Sequence, residues 1–277
     1  MTAVMSVSRP VGDLLREWRL RRRLSQLDLA GEADVSARHL SFIETGRSRP
    51  SREMVLHLAE RMEIPLRERN GLLVAAGYAP VYPERPLADP ALAAARRAVD
   101  LVLSAHEPFP ALAVDRHWTL LASNRAIAPL LAGVSPALLR PPVNVLRISL
   151  HPEGLAPRIA NLRQWRRHLL TRLRQQIEVT ADPVLDRLLR ELRDYPLPAA
   201  RAENAVAAVP ETDYGGVAVP LRLATDGGTL SLLSTTTVFG TPVEVTLSEM
   251  ALESFFPADA DTADLLRRLA TGVPRTQ

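Results

Sequence analysis

Between Ser36 and Arg49 the chain places residue types suited to reading and gripping a nucleic acid. Arg38 can donate two parallel N–H bonds to the O6 and N7 acceptors of a guanine, and Ala37 or Phe42 can cover a thymine methyl group. Ser36 and His39 share the same outward face, while Arg47, Ser48, Arg49 and Ser51 form a polar loop suited to phosphates. Gln26, at the start of an earlier helix, can add a side-chain amide to a phosphate beside that helix's own free N–H groups. No comparable set points to catalysis. The six histidines, at 39, 57, 106, 117, 151 and 168, show no metal-binding helix spacing, and cysteine is absent. Neither a Gly-Xaa-Ser-Xaa-Gly elbow nor a phosphate loop nor a dinucleotide fingerprint occurs, since Gly215-Gly216 and Gly227-Gly228 stand as isolated turn pairs. The expectation is no enzyme, no metal and no cofactor.

The DNA-reading residues need helices to hold them, and the first 77 residues read as five. The first runs from about Val11 to Arg23 on a stripe of Leu14, Leu15, Trp18 and Leu24. Ser25 caps the second, with Asp28 three residues on as in a capping box. Ser36 caps the third, whose inward face of Leu40 and Ile43 turns Ser36–His39 and Phe42 outward, and Gly46 ends it. Ser51 opens a fourth, and a fifth spans about Pro65 to Ala76 before Gly77. Ala30 and Ala33 are small enough to let the second and third helices approach closely. In a helix-turn-helix the second helix of the pair enters the major groove while the first crosses the backbone.

A length of 277 residues suits two modest domains, and 47% hydrophobic with 23% charged residues describes a chain that folds. All 34 cations are arginine, and the net charge of +3 falls within residues 1–80, the remainder being balanced. Charge alone says little about nucleic acid, because clustering matters more than the sum. No run is long and apolar enough to span a membrane, and no signal segment opens the chain, so the expected location is the cytoplasm.

Residues 78–90, with four prolines, read as a linker, and 91–106 as a connecting helix. From Phe109 strands begin: two short ones meet at a turn over Asp115–His117, and Asn124 is expected to cap a helix reaching Leu131. Residues 157–193 read as two helices broken near Asp182-Pro183. Three C-terminal strands follow, the first two joined through Asp226-Gly227-Gly228, and Asp261–Ala270 reads as a last helix. The second domain is α+β. Leu162, Trp165, Leu169 and Leu173 make a helix stripe opposite Arg163, Arg166, Arg167 and Arg174, which leaves open whether that face lines a pocket or packs as core.

Two stretches resemble known families. The segment SQLDLAGEADVSARHLSFIETGRSRPS is similar to the xenobiotic-response-element (XRE) family, which includes the lambda-type repressors. That resemblance implies a structural ion pair between Arg19 and Glu44 and a lambda-repressor-like all-α domain. The second domain's element order is similar to PAS-like sensors. The stretches LRISLHPEGLAPRIANLRQWRRHLLTRLR and STTTVFGTPVEVTLSEMALESFFP resemble the ligand-binding domain of MmyB-like transcription regulators. The resemblances together imply a bacterial regulator with a DNA-binding domain over 1–80, a linker and connecting helix over 81–105, and a PAS-like ligand-binding and dimerisation domain over 106–277. They imply a double-stranded DNA operator, a homodimer and a small apolar, fatty-acid-like effector. Candidate lining residues are Trp118, Asn124, His151, Arg158, Asn161, Trp165 and Phe239, none singled out by spacing. The alternative is a second domain that binds protein and holds no small molecule.

Overall fold

The computed structural model describes residues 9–197, 219–239 and 244–271. They form two compact units: one comprises residues 9–86 with 244–248, the other 87–239 and 249–271 of those described.

The first unit is helical. α1 (Val11–Arg21), α2 (Gln26–Glu32), α3 (Ala37–Glu44), α4 (Arg52–Arg61) and α5 (Leu66–Ala75) follow one another over short turns. Serines start three of them. The Ser25 side chain accepts the Asp28 N–H while Asp28 accepts the Ser25 N–H, a complete capping box, and Ser36 and Ser51 accept from His39 and Met54. Leu15, Leu29, Leu40, Ile43, Leu58, Met62, Leu72 and Leu73 fill the centre and are almost wholly buried. α1 crosses α3 so closely that a Cβ on Gly12 would lie 2.4 Å from the Ile43 carbonyl oxygen. Any side chain there would force the helices apart. Residues 244–248 also belong to this unit. Glu244 is buried and accepts the backbone N–H groups of Arg85 and Leu247 at 2.8 and 2.9 Å, and Val245 N–H donates to the Pro83 carbonyl.

The second unit is an α+β domain on a five-stranded antiparallel sheet of order β2-β1-β5-β4-β3. Its strands are β1 (Ala111–Val114), β2 (Leu120–Ser123), β3 (Leu221–Thr225), β4 (Gly228–Val238) and β5 (Ala251–Pro257). α6 (Ala93–Ala105) leads in and packs through Val99 and Leu103. Between β2 and β3 the chain forms a 3-10 helix (Arg125–Leu131), α7 (Val145–Leu150), α8 (Leu162–Thr180) and α9 (Pro183–Asp194). Asp182 caps α9 after Ala181 turns left-handed, so the break falls where Asp182-Pro183 predicts it. A helical turn, α10 (Val245–Ser248), lies between β4 and β5 in the chain, and α11 (Ala260–Thr271) closes the domain. β3 and β4 meet over Asp226-Gly227, with Thr225 paired to Gly228.

Asn124 departs from expectation. It makes no side-chain cap; its amide instead donates to the Leu103 and Phe109 carbonyls and its oxygen accepts the Ala111 N–H, fastening the end of α6 to β1. The segment that follows is correspondingly a 3-10 helix. α7, which no sequence signal announced, begins instead from a true cap, Asn144 accepting the Arg147 N–H.

Candidate functional site

In the helical unit, the outer face of α3 carries the candidate base-reading residues. Leu40, Ile43 and Glu44 are buried, which turns Arg38 fully outward and leaves Ala37, His39 and Phe42 partly exposed. The Phe42 ring meets two guanidiniums, Arg38 at 5.3 Å and Arg47 at 5.9 Å from its centroid. That stack stiffens two otherwise mobile cations. Ser36, exposed at the helix start, is engaged as the cap.

Behind this face, Arg19 on α1 donates through Nε and Nη2 to the two carboxylate oxygens of Glu44 at 2.6 and 2.8 Å, and through Nη1 to the Leu24 carbonyl. Both residues are about 95% buried. Gln26 donates its amide to the same carboxylate at 2.7 Å. Burial pushes the Glu44 carboxyl up, but the bonds from Arg19 and Gln26 outweigh it and hold the group below the ordinary carboxylate range. One ionised carboxylate thereby ties α1, the start of α2 and the end of α3 together. Arg49 bonds the Ala76 carbonyl at 2.9 Å beside the Tyr78 ring, bracing the end of α5.

In the second unit, an apolar cavity of about 100 Å³ lies among the sheet, the 3-10 helix, α7 and α8. Leu112, Leu120, Leu221, Leu223, Leu232 and Phe255 line it from the strands, Ile127 and Leu130 from the 3-10 helix, Leu146 and Ile148 from α7, and Trp165 and Leu169 from α8. Trp118 closes another side. It holds a φ of +66°, a left-handed conformation that a bulky side chain rarely adopts, with its indole N–H on Gln176 and its ring 4.7 Å from the Arg172 guanidinium. The polar groups on the described lining are Ser149, Arg172, Ser234 and Glu253.

A helix-turn-helix domain model matches residues 10–72, and the family model for the MmyB-like transcription regulator ligand binding domain matches residues 95–269, more than half the chain. The chain belongs to the MmyB-like transcription regulators. No curated protein matches it. It is therefore a transcription regulator with a helix-turn-helix DNA-binding domain and a ligand-binding domain, and no helix among the described residues is long and apolar enough to cross a membrane.

Within this MmyB-like domain, Trp118 and Trp165 sit on the cavity wall, and five further candidates lie outside its described lining. Asn124 holds α6 to β1, as above. Asn161 bonds the Pro220 carbonyl and the Arg222 N–H, joining the start of α8 to β3. Arg158 bonds the Leu130 carbonyl and so steadies the lining 3-10 helix from behind. His151 accepts the Glu153 N–H and packs edge-on to Tyr195, while Phe239 is half-buried just beyond β4.

Arg172 and Glu253 were not among the sequence candidates, although both carry a signal. Arg172 stands seven residues after Trp165 on α8, so it interrupts the apolar stripe itself, unlike the arginines opposite it. Glu253 shares its face of β5 with Phe255, which puts a carboxylate at an inward register position, between Leu112 of β1 and Thr236 of β4. Among the described residues no group of three or more His, Asp or Glu could hold a metal ion.

Proposed function

We propose that the chain is a cytoplasmic, sequence-specific DNA-binding regulator, acting as a homodimer, whose C-terminal domain is PAS-like and senses a small apolar, fatty-acid-like molecule. The apolar cavity carries this reading, because a well-packed core leaves few voids larger than a water molecule. Its volume of about 100 Å³ is on the scale of a small ring or a few methylene groups, and a longer chain must part the wall to enter. Trp118, strained and on that wall, is placed to respond when it does. The strand order β2-β1-β5-β4-β3, with helices inserted between β2 and β3, supports the PAS-like assignment.

On the DNA side, α3 supplies Arg38, Ala37, His39 and Phe42 to base edges, with Ser36 at its start, and Arg47 serves the phosphate backbone. Gln26 and Arg49 act from behind, positioning α3 and the loop after it through the bonds described above. Two copies would read half-sites one helical turn apart, about 34 Å. The effector acts through unequal affinity for the DNA-competent and incompetent arrangements.

Solvent extraction and mass spectrometry of the purified full-length protein, followed by DNA-affinity measurements with and without the extracted compound, test this reading. The expected result is an apolar molecule in near-equimolar amount whose removal changes operator affinity. Recovery of no small molecule, with operator affinity unmoved by any apolar additive, would replace the sensor with a protein-binding module.

A further inference from the structure

The charged part of the cavity lining is an ion pair closed on itself. Arg172 donates through Nη1 to Glu253 Oε2 at 3.0 Å and through Nη2 to Oε1 at 2.5 Å, and the Thr236 hydroxyl donates to Oε1 at 2.8 Å. Glu253 is the deeper partner, 4% exposed, whereas the Arg172 side chain is about a quarter exposed. A third titratable group against this pair is His168, half-buried one turn earlier on α8 and stacked on Trp165 at 5.4 Å. Burial, and then the neighbouring Arg172, lower the His168 pKa and favour its neutral form. The charges on the described wall therefore sum to zero, and the guanidinium already serves a carboxylate.

A ligand carboxylate brought here would be a second anion against one committed cation, beside the buried carboxylate of Glu253. An uncharged head group meets no such repulsion. Ser234 offers it a hydroxyl, and Ser149, whose Oγ accepts the Trp165 indole N–H at 2.9 Å, keeps its own proton to give to a carbonyl. We propose that Glu253 sets the head-group selectivity of the cavity, so that the effector is an elongated apolar molecule with an uncharged polar end (an alcohol, ester, amide or protonated acid) and the carboxylate anion is rejected. This rests on the sensor reading above and refines its fatty-acid-like ligand. Rejection by an unpaired like charge is a familiar source of specificity.

Octan-1-ol and octanoate, titrated into the full-length protein while its tryptophan fluorescence, to which Trp118 and Trp165 contribute beside Trp18, is followed, test it. In the wild type the apparent affinity for total octanoic acid should fall about tenfold between pH 7 and pH 8, as the protonated acid becomes scarcer, while that for octanol stays constant. Glu253→Gln keeps the size of the side chain, frees Arg172 for a ligand anion, and should shift the octanoate-to-octanol affinity ratio by about tenfold or more towards octanoate. The wild-type pH series tests rejection of the anion even if the variant does not fold, and the variant assigns that rejection to Glu253. Octanoate affinity that is independent of pH, or a ratio unmoved in the folded variant, overturns the selectivity while leaving the sensor standing. Binding of neither compound overturns the cavity as a ligand site, and the selectivity with it.

Discussion

Arg19–Glu44 and Arg172–Glu253 join the same two functional groups through two bonds, side-on through Nε and Nη2 in the helical unit and end-on through Nη1 and Nη2 beneath the sheet. In the first, protein groups close the pair: Gln26 takes one oxygen and Leu24 takes the spare guanidinium nitrogen. The second has a cavity on one side and a partly exposed arginine on the other. The difference teaches that a buried ion pair is defined by its surroundings. Closed in by protein, it fixes how helices cross; set beside a void, it becomes a filter for what enters the void.

Breaking the closed pair should have the largest effect. Arg19→Met strands Glu44 in the core, and loss of one partner of a buried pair costs about 3–5 kcal/mol. Hydrogen exchange in the intact chain should show α1, α2 and α3 opening together while the sheet keeps its protection. Exchange that rises only in α1 would mean that Glu44 does not join the three helices. The same pair sets an acid limit. Because the folded Glu44 carboxyl lies below the ordinary range, its contribution is complete above the unfolded value and disappears as pH falls through the folded one. The acid-side fall in stability of this unit should flatten in Glu44→Gln, measured as a difference in slope below about pH 4.5.

The open pair should behave otherwise. Replacing both members together, Arg172→Met with Glu253→Leu, leaves only the hydroxyl of the exposed Thr236 to find water, so stability should hold or rise by up to about 4 kcal/mol. The corresponding double replacement of Arg19 and Glu44 should lose stability, because it strands the Gln26 amide and the Leu24 carbonyl. Urea unfolding of the two double variants compares them directly, and equal losses would erase the distinction between the pairs.

How much of this could be read in the sequence follows from distance along the chain. Ser25 with Asp28, Ser36 and Ser51 announce helix starts because a cap is made by residues three apart. Asp182-Pro183 announces the α8–α9 break just as locally, Asp182 accepting the Val184 N–H two residues on. Gly12 gives no local sign, since its necessity comes from the Ile43 carbonyl on another helix. Asn124 misleads, because a residue with cap chemistry was recruited by α6 and β1 instead. The cavity is least legible. Its wall gathers residues from Leu112 to Phe255, and Glu253 becomes polar lining only once β5 lies between β1 and β4 in register. Residues 244–248 joining the helical unit depend on a return of the chain from the other end of the sequence.

Arg38 sharpens the comparison from the opposite side, being a guanidinium that faces solvent over Phe42 and is not committed to a buried carboxylate. Arg38→Ala should leave folding unchanged and weaken operator binding by about 1–3 kcal/mol, with specificity relaxed at one base pair. A binding-site selection on randomised DNA separates this from a phosphate contact, for which all sequences would weaken alike.

The smallest effect concerns the start of the helix that presents Arg38. Ser36→Ala removes the acceptor for the His39 N–H, and loss of such a cap costs about 1 kcal/mol. Unlike Arg19→Met, it leaves the Arg19–Glu44 pair intact, so α3 should fray at its first turn while its far end stays fixed to α1. Amide exchange should therefore rise at Ala37–His39 and remain slow at Ile43 and Glu44. Uniform acceleration along α3 would show that the cap, as much as the ion pair, holds this helix in place.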